Sequence, residues 1–303
     1  MNATVYKPME MTVAETVLKE AKQILDELGI VFFLRHGTWL GAIREGCLIA
    51  WDDDLDIGSV IGLHGLTEER AYEAIDLFSL KGFNPDVIIS ESGLSVEMNK
   101  DDVPIDWNCY RIIGDSIYQY PVVQIPVGLH TDLKEIDFLG ETFLVPNPPE
   151  DYLRCRYGPD WRVPKKAGAF ESTALELTDQ SIIPPEHRRT MSLDNRFVPS
   201  SHTGYLKVLD LDGLPVDQAQ IGMASTTALT GLENANTDSD GRVFFTLPVE
   251  GDYVVSIVYD DHREVLYGER LVPGLNYVYT PNSAIHSGRR NALVPQTGTP
   301  HLT

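Results

Sequence analysis

Apolar residues in the first third of the chain recur in two rhythms. Val17, Leu18, Ala21, Ile24, Leu25 and Leu28 return every three or four positions, the spacing that lines one face of a helix. Thr12-Val13-Ala14-Glu15 ahead of them has capping-box spacing, and Gly29 stands where a C-cap belongs. A supporting helix is therefore predicted between these two marks. Ile30-Val31-Phe32-Phe33-Leu34 is an unbroken apolar run next to Gly29 and reads as a buried strand. Leu66 to Leu80, with Ala71, Ala74, Ile75 and Phe78 apolar and Gly82 beyond, reads as a second helix. Val87-Ile88-Ile89 and Leu94-Ser95-Val96-Glu97-Met98 read as a strand pair around Glu91-Ser92-Gly93. Val103-Pro104-Ile105-Asp106-Trp107-Asn108-Cys109-Tyr110 alternates, as a half-buried strand does.

The pattern then changes. Pro148 and Pro149 suit the first turn of a helix running to Tyr157-Gly158. From Gly168 to Ser201 periodicity dissolves into Ser, Thr, Pro and charge, which reads as a linker. Beyond it lie short β-rich runs at 205–209, 220–224, 243–247, 253–258 and 277–279, with Asp212-Gly213, Asp240-Gly241 and Glu250-Gly251 turns among them. That punctuation predicts a small antiparallel sandwich. The expected division is an α/β domain over 1–167, a linker over 168–202, an all-β module over 203–282 and a mobile tail over 283–303.

One stretch departs from both rhythms. Trp51-Asp52-Asp53-Asp54-Leu55-Asp56-Ile57-Gly58 packs four carboxylates into five residues. On a strand, Asp54 and Asp56 point to one face and Leu55 and Ile57 to the other. Two carboxylates on one face repel each other, so a hard divalent ion held by oxygen ligands is the natural partner. A solvated acidic turn is the alternative. A calcium loop is excluded, because the sixth and twelfth positions from Asp52 are Ile57 and Leu63 where Gly and Glu are needed. Upstream, Gly37 allows close approach of backbone to a phosphate, and Thr38 is placed to cap a helix whose amides face an anion. A strand, a Gly-Thr turn, a short helix and a second strand ending in Asp54-x-Asp56, in this order, resemble the active-site unit of the nucleotidyltransferase fold.

Charge narrows the partners. The 303 residues include 24 basic and 45 acidic side chains, for a net charge of −21, which argues against nucleic acid. An acidic protein that handles a diphosphate needs metal ions to neutralise it. Cys47, Cys109 and Cys155 have neither zinc spacing nor a disulfide framework. Met1 to Met11 lacks the regions of a signal peptide, and no run approaches the roughly 18 apolar residues of a membrane span. Synthesis in the cytosol, with no membrane span, is the expectation. The final site, a virion or cell surface included, stays open.

The motif H-G-T-x-L-G-A-x-R-x-G followed by I-x-W-D-D-D-x-D-I resembles the signature of the LicD/fukutin-related transferases. The matching positions are His36, Gly37, Thr38, Leu40, Gly41, Ala42, Arg44 and Gly46, then Ile49, Trp51, Asp52, Asp53, Asp54, Asp56 and Ile57. Ala50 stands where the family usually has Pro before the Trp. Val145, Pro146, Tyr152, Leu153, Tyr157, Gly158 and Trp161 match the segment that closes the family's catalytic domain. The resemblance covers roughly residues 12–166. It implies transfer of phosphocholine or an alditol phosphate from a CDP-activated donor to a glycan hydroxyl. It also implies Mg²⁺ or Mn²⁺ on Asp54 and Asp56. Asp106 fits the third acid on the neighbouring strand, sharing the metal or taking the proton of the attacking hydroxyl; an ordinary outward-facing Asp is the alternative. Gly37, Thr38 and Gly41 are expected at the substrate. Arg44 is expected either on the same anion or in a salt bridge to the acidic cluster.

The second unit, with G-x-P-V and T-D-x-D-G-x-x-x-F-x-L-P, resembles the carboxypeptidase-regulatory-like, prealbumin-type β-sandwich, and Asp238 and Asp240 read there as turn residues. Such modules serve as spacers or binders, so this module and the tail are the expected place for an assembly partner. Two other functions stay open: a nucleotidylyltransferase that uses a nucleoside triphosphate, and a non-catalytic surface or virion component that retains the fold.

Overall fold

A computed structural model describes residues 7–119, 123–164, 191–194, 200–225, 233–282 and 292–296. The first helix, α1 (Met11–Glu27), buries Ala14, Val17, Leu18, Ala21, Ile24 and Leu25, the stripe its spacing predicts. Its cap differs from the expected Thr12 box. The helix starts two residues earlier, and the longer side chain of Glu10 accepts the amides of Thr12 and Val13. The second helix, α3 (Glu68–Leu80), is capped by Thr67 and packs against α1. Between them lie β1 (Phe33–Leu34), α2 (His36–Arg44) and β2 (Leu55–Val60); β3 (Asp86–Ser90), β4 (Gly93–Lys100) and β5 (Val103–Tyr110) follow.

These five strands form one sheet in the order β1-β2-β5-β4-β3. β1 runs antiparallel to β2, β2 parallel to β5, and β3-β4-β5 form an antiparallel meander. A parallel pair cannot be closed by a tight hairpin; here α3, β3 and β4 make the crossover. Every residue of β2 is buried. The expected strand ending in Asp-x-Asp is instead a strand that begins there, because Ile57-Gly58-Ser59-Val60 continue extended through the core. Two hairpins complete the layer around the sheet: β6 (Ser116–Gln119) with β7 (Val123–Pro126), and β8 (Lys134–Phe138) with β9 (Glu141–Val145). Helix α4 (Pro149–Tyr157) opens on Pro149 as predicted and buries Tyr152, Leu153 and Tyr157.

The remaining described residues are largely β. One sheet contains β10 (Ser192–Asp194), β14 (Arg242–Thr246), β11 (Thr203–Val208), β17 (Tyr277–Tyr279) and β18 (Val294–Pro295), in that order. The other contains β13 (Glu233–Asn236), β12 (Gln220–Ser225), β15 (Gly251–Tyr259) and β16 (His262–Leu271). Leu206, Val208, Phe245 and Tyr279 from the first sheet share one apolar cluster with Ile221, Tyr253, Val255 and Ile257 from the second. Asp238 is a turn residue, its Oδ1 accepting the amides of Asp240 and Arg242.

Two expectations need correction at the edges of this region. Ser192–Asp194, placed by sequence in the linker, adds a strand beside β14. Val294–Pro295, placed in a mobile tail, pairs with β17, and the buried carboxylate of Glu269 accepts the amides of Ala292 and Leu293. The rest of the expected linker and tail lies largely outside the described residues.

Candidate active site

The acidic stretch meets β5 because β2 and β5 are parallel and in register. Asp56 is the direct partner of Asp106, so their side chains leave the same face of the sheet. Asp54 stands two residues before Asp56, at the mouth of β2. One carboxylate oxygen from each of Asp54, Asp56 and Asp106 lies within 4.8 Å of the other two. Asp56 is buried, whereas Asp54 and Asp106 are half-buried. Asp52, Asp53 and Asp54 form a second such grouping, which shares Asp54 with the first.

Asp56 is held from several directions. Its Oδ1 lies 3.0 Å from Arg35 Nη2 and 3.4 Å from His36 Nδ1. Its Oδ2 accepts the Gly37 amide at 3.1 Å. Its own amide donates to Thr38 Oγ1 at 2.8 Å. Burial opposes ionisation of Asp56, but Arg35, His36 and the Gly37 amide outweigh it and hold its pKa below the usual carboxylate range. Asp54 has the opposite balance. Burial, and then the charges of Asp56, Asp106, Asp52 and Asp53, push its pKa well up.

Arg35 was not singled out by the sequence, yet it lies at the centre of this arrangement. It is 3% exposed. Besides Asp56, it approaches Asp106 Oδ2 at 4.0 Å, donates from Nε to the Ile57 carbonyl at 3.0 Å, and sets Nη1 2.7 Å from His36 Nδ1. Burial disfavours its charge, but Tyr110, Asp56 and Asp106 more than compensate, and its pKa is raised. The available signal was an Arg directly after five apolar residues, since a charge at the end of a buried strand requires a partner. Gln119 carried no such signal, whereas Tyr152 belongs to the segment that the sequence matched to the end of the family's catalytic domain. Gln119 Oε1 accepts from Tyr152 at 3.1 Å and lies 3.2 Å from His36 Nε2. Burial, then Arg35 and Arg156, lower the pKa of His36 to about 3. The ring's Nδ1 lies near both Arg35 Nη1 and Asp56 Oδ1, and its Nε2 faces Gln119 Oε1. The His36 backbone is left-handed, at φ 43°, a conformation uncommon outside glycine that is found at functional sites.

The structure revises the roles of the Gly-Thr segment. Thr38 lies inside the first turn of α2, whose N-cap is Arg35, so it does not cap the helix. The Gly37 amide faces Asp56, and a Cβ on Gly37 would come within 2.2 Å of Asp52 Oδ2. Gly41 packs on the chain it faces, since a Cβ there would lie 2.5 Å from the Cys47 carbonyl. These residues build the site. Arg44 is at the opposite end of α2, about 10 Å along the axis from Gly37, with Glu45 at 2.8 Å and the Trp161 carbonyl at 3.5 Å among its partners.

Three converging hard oxygen donors suit Mg²⁺ or Mn²⁺. Three carboxylates converge on one guanidinium, so Arg35 alone does not balance their charge, and a divalent ion would supply the remainder.

A mixed sheet carrying these acids on adjacent central strands, with a helix entering at the first, defines a nucleotidyltransferase-like α/β domain. Residues 29–148 match the family described as LicD/FKTN/FKRP, nucleotidyltransferase domain. The chain is 24% identical over 199 residues to the ribitol-5-phosphate transferase FKTN of Mus musculus, covering 56% of this chain and 38% of that protein. It is 26% identical over 144 residues to the ribitol 5-phosphate transferase FKRP of Homo sapiens, covering 45% of this chain and 29% of that protein. The chain thus spans well under half the length of these curated relatives. Among solved structures, the antibiotic-resistance factor ANT(2'')-Ia aligns at 15% identity and a TM-score of 0.32, over 45% of this chain and 66% of that one. Among the described residues, no helix is long and apolar enough to cross a membrane.

Proposed function

We propose that this chain transfers a substituted phosphate, of the alditol phosphate or phosphocholine class, from a CDP-activated donor to a glycan hydroxyl. The observation that carries the reading is the convergence of Asp54, Asp56 and Asp106 inside the span that matches the LicD/FKTN/FKRP domain. The relatives are named as ribitol 5-phosphate transferases, which makes a ribitol-type donor the first to test.

In this proposal Asp54, Asp56 and Asp106 hold Mg²⁺ or Mn²⁺, which when bound stabilises charge on the phosphate oxygens and the departing CMP. Asp56 is the fixed ligand, braced by Arg35 and the Gly37 amide. Asp54 is the member whose repulsion is relieved when positive charge arrives. Half-buried Asp106 shares the metal or takes the proton of the attacking hydroxyl. The acceptor oxygen forms a bond to the phosphorus that bears the head group, and the bridging P–O bond to CMP breaks.

The test is product analysis with Mn²⁺ present. CDP-ribitol, CDP-glycerol, CDP-choline and nucleoside triphosphates are each offered with a glycan acceptor. Release of CMP with labelled acceptor supports the reading. Release of pyrophosphate from a triphosphate identifies a nucleotidylyltransferase and overturns it.

A further inference from the structure

We propose that the Arg35 guanidinium occupies the place of a second cation in the Asp54–Asp56–Asp106 site, so that the site takes one divalent ion and not two. The inference rests on the preceding reading that this trio binds metal; what it adds is the number of ions and the residue that fixes it.

The geometry is that of a bridging cation. Arg35 Nη2 lies 3.0 Å from Asp56 Oδ1 and 4.0 Å from Asp106 Oδ2, between the two carboxylates that share a rung of the sheet. In two-metal phosphoryl-transfer sites, the ions stand about 3.5–4 Å apart and are joined by shared oxygen ligands. One such position is filled here by a group that the chain supplies itself. Among the described residues Arg35 pairs with Asp56 and Asp106 and not with Asp54, so Asp54 marks the side left for an exchangeable ion.

The guanidinium is fixed there. Nε donates to the Ile57 carbonyl, Nη1 faces His36 Nδ1, and the side chain is 4% exposed. Its stem passes over Gly58, where a Cβ would stand 3.3 Å from Arg35 Cδ. An Arg in a protein does not give up its proton, so a second metal ion cannot take this place by neutralising it.

The test is Mn²⁺ binding to the full chain without substrate, followed by electron paramagnetic resonance and calorimetry. The ions counted are those lost in Asp106→Asn, which separates them from the Asp52-Asp53-Asp54 grouping. The wild-type chain should bind one ion, Arg35→Lys one, and Arg35→Gln two. Circular dichroism checks the fold of each variant. Should Arg35→Gln not fold, the wild-type count decides: one ion upholds the assignment and two overturn it. One ion of unchanged affinity in folded Arg35→Gln would also overturn it, while leaving the metal reading of the trio intact. No ion in the wild-type chain would remove that reading and this inference with it.

Discussion

Asp56 and Asp106 are register partners on parallel strands, fifty residues apart in the chain. Neither strand makes a site alone, and their pairing sets two carboxylates on one face with Asp54 beside them. Residues that act as one unit lose function together, so their mutational costs do not add. Asp54→Asn, Asp56→Asn and Asp106→Asn should each abolish most transfer, and the triple variant should be little worse than the worst single one. Initial rates of CMP release measure this. Additive losses would show three independent residues.

Asp54→Asn should also stabilise the metal-free protein. The folded pKa of Asp54 is raised, above an unfolded value of about 3.9. Its contribution to stability is therefore present at low pH and is lost as pH rises through the folded pKa. Asn mimics the protonated form and does not suffer that loss. Near neutral pH, in EDTA, the variant should melt higher by about 2–4 °C, on the order of 1 kcal/mol. The gain should shrink on acidification, and Mn²⁺ affinity should fall by at least about tenfold.

Gly58→Ala should destabilise the fold. A Cβ at that position would meet Phe33 Cε2 at 2.9 Å and Arg35 Cδ at 3.3 Å. Overpacking of this kind costs about 1–3 kcal/mol. Urea unfolding should show a lower midpoint at unchanged slope. An unchanged midpoint would mean that the Phe33 ring and Arg35 stem can move aside freely.

Acid should weaken the domain through its buried histidines. Burial first, then Arg35 and Arg156, lower His36 to about 3; burial lowers His130 to about 4. Both unfolded values are about 6.5. Between these limits the unfolded chain binds more protons, so stability falls as pH drops from about 6.5 toward 4. His130→Phe keeps an aromatic ring against Phe33, now 4.7 Å away between centroids, and removes one titrating group. Its stability should fall less steeply over this window in urea titrations at stepped pH.

Much of this arrangement was legible in the chain. The stripe of α1, the meander around Gly93 and the alternation that exposes one face at Asp106 follow from local spacing alone. The acid trio was legible because the Asp54-x-Asp56 spacing keeps two carboxylates close where the chain enters β2 and Asp106 sits on an alternating strand. Arg35 was missed because its partners arrive from β2 and β5, and no local rhythm reports a contact across 21 or 71 positions. Thr38 was assigned as a cap from its residue type, whereas the tertiary partner, the Asp56 amide, determines its role. β18 was read as part of a mobile tail because what holds it, the Glu269 carboxylate, lies 23 residues upstream of Ala292.

The central claim is that the Asp54–Asp56–Asp106 site transfers a head-group phosphate and releases CMP. The most direct measurement is CMP formed from CDP-ribitol with Mn²⁺ and a glycan acceptor, compared for the wild-type chain and Asp56→Asn. The account predicts acceptor-dependent CMP from the wild-type chain, abolished by EDTA and reduced at least about a hundredfold in Asp56→Asn. Equal CMP release from the two proteins, or none from the wild-type chain with any CDP donor, would contradict it.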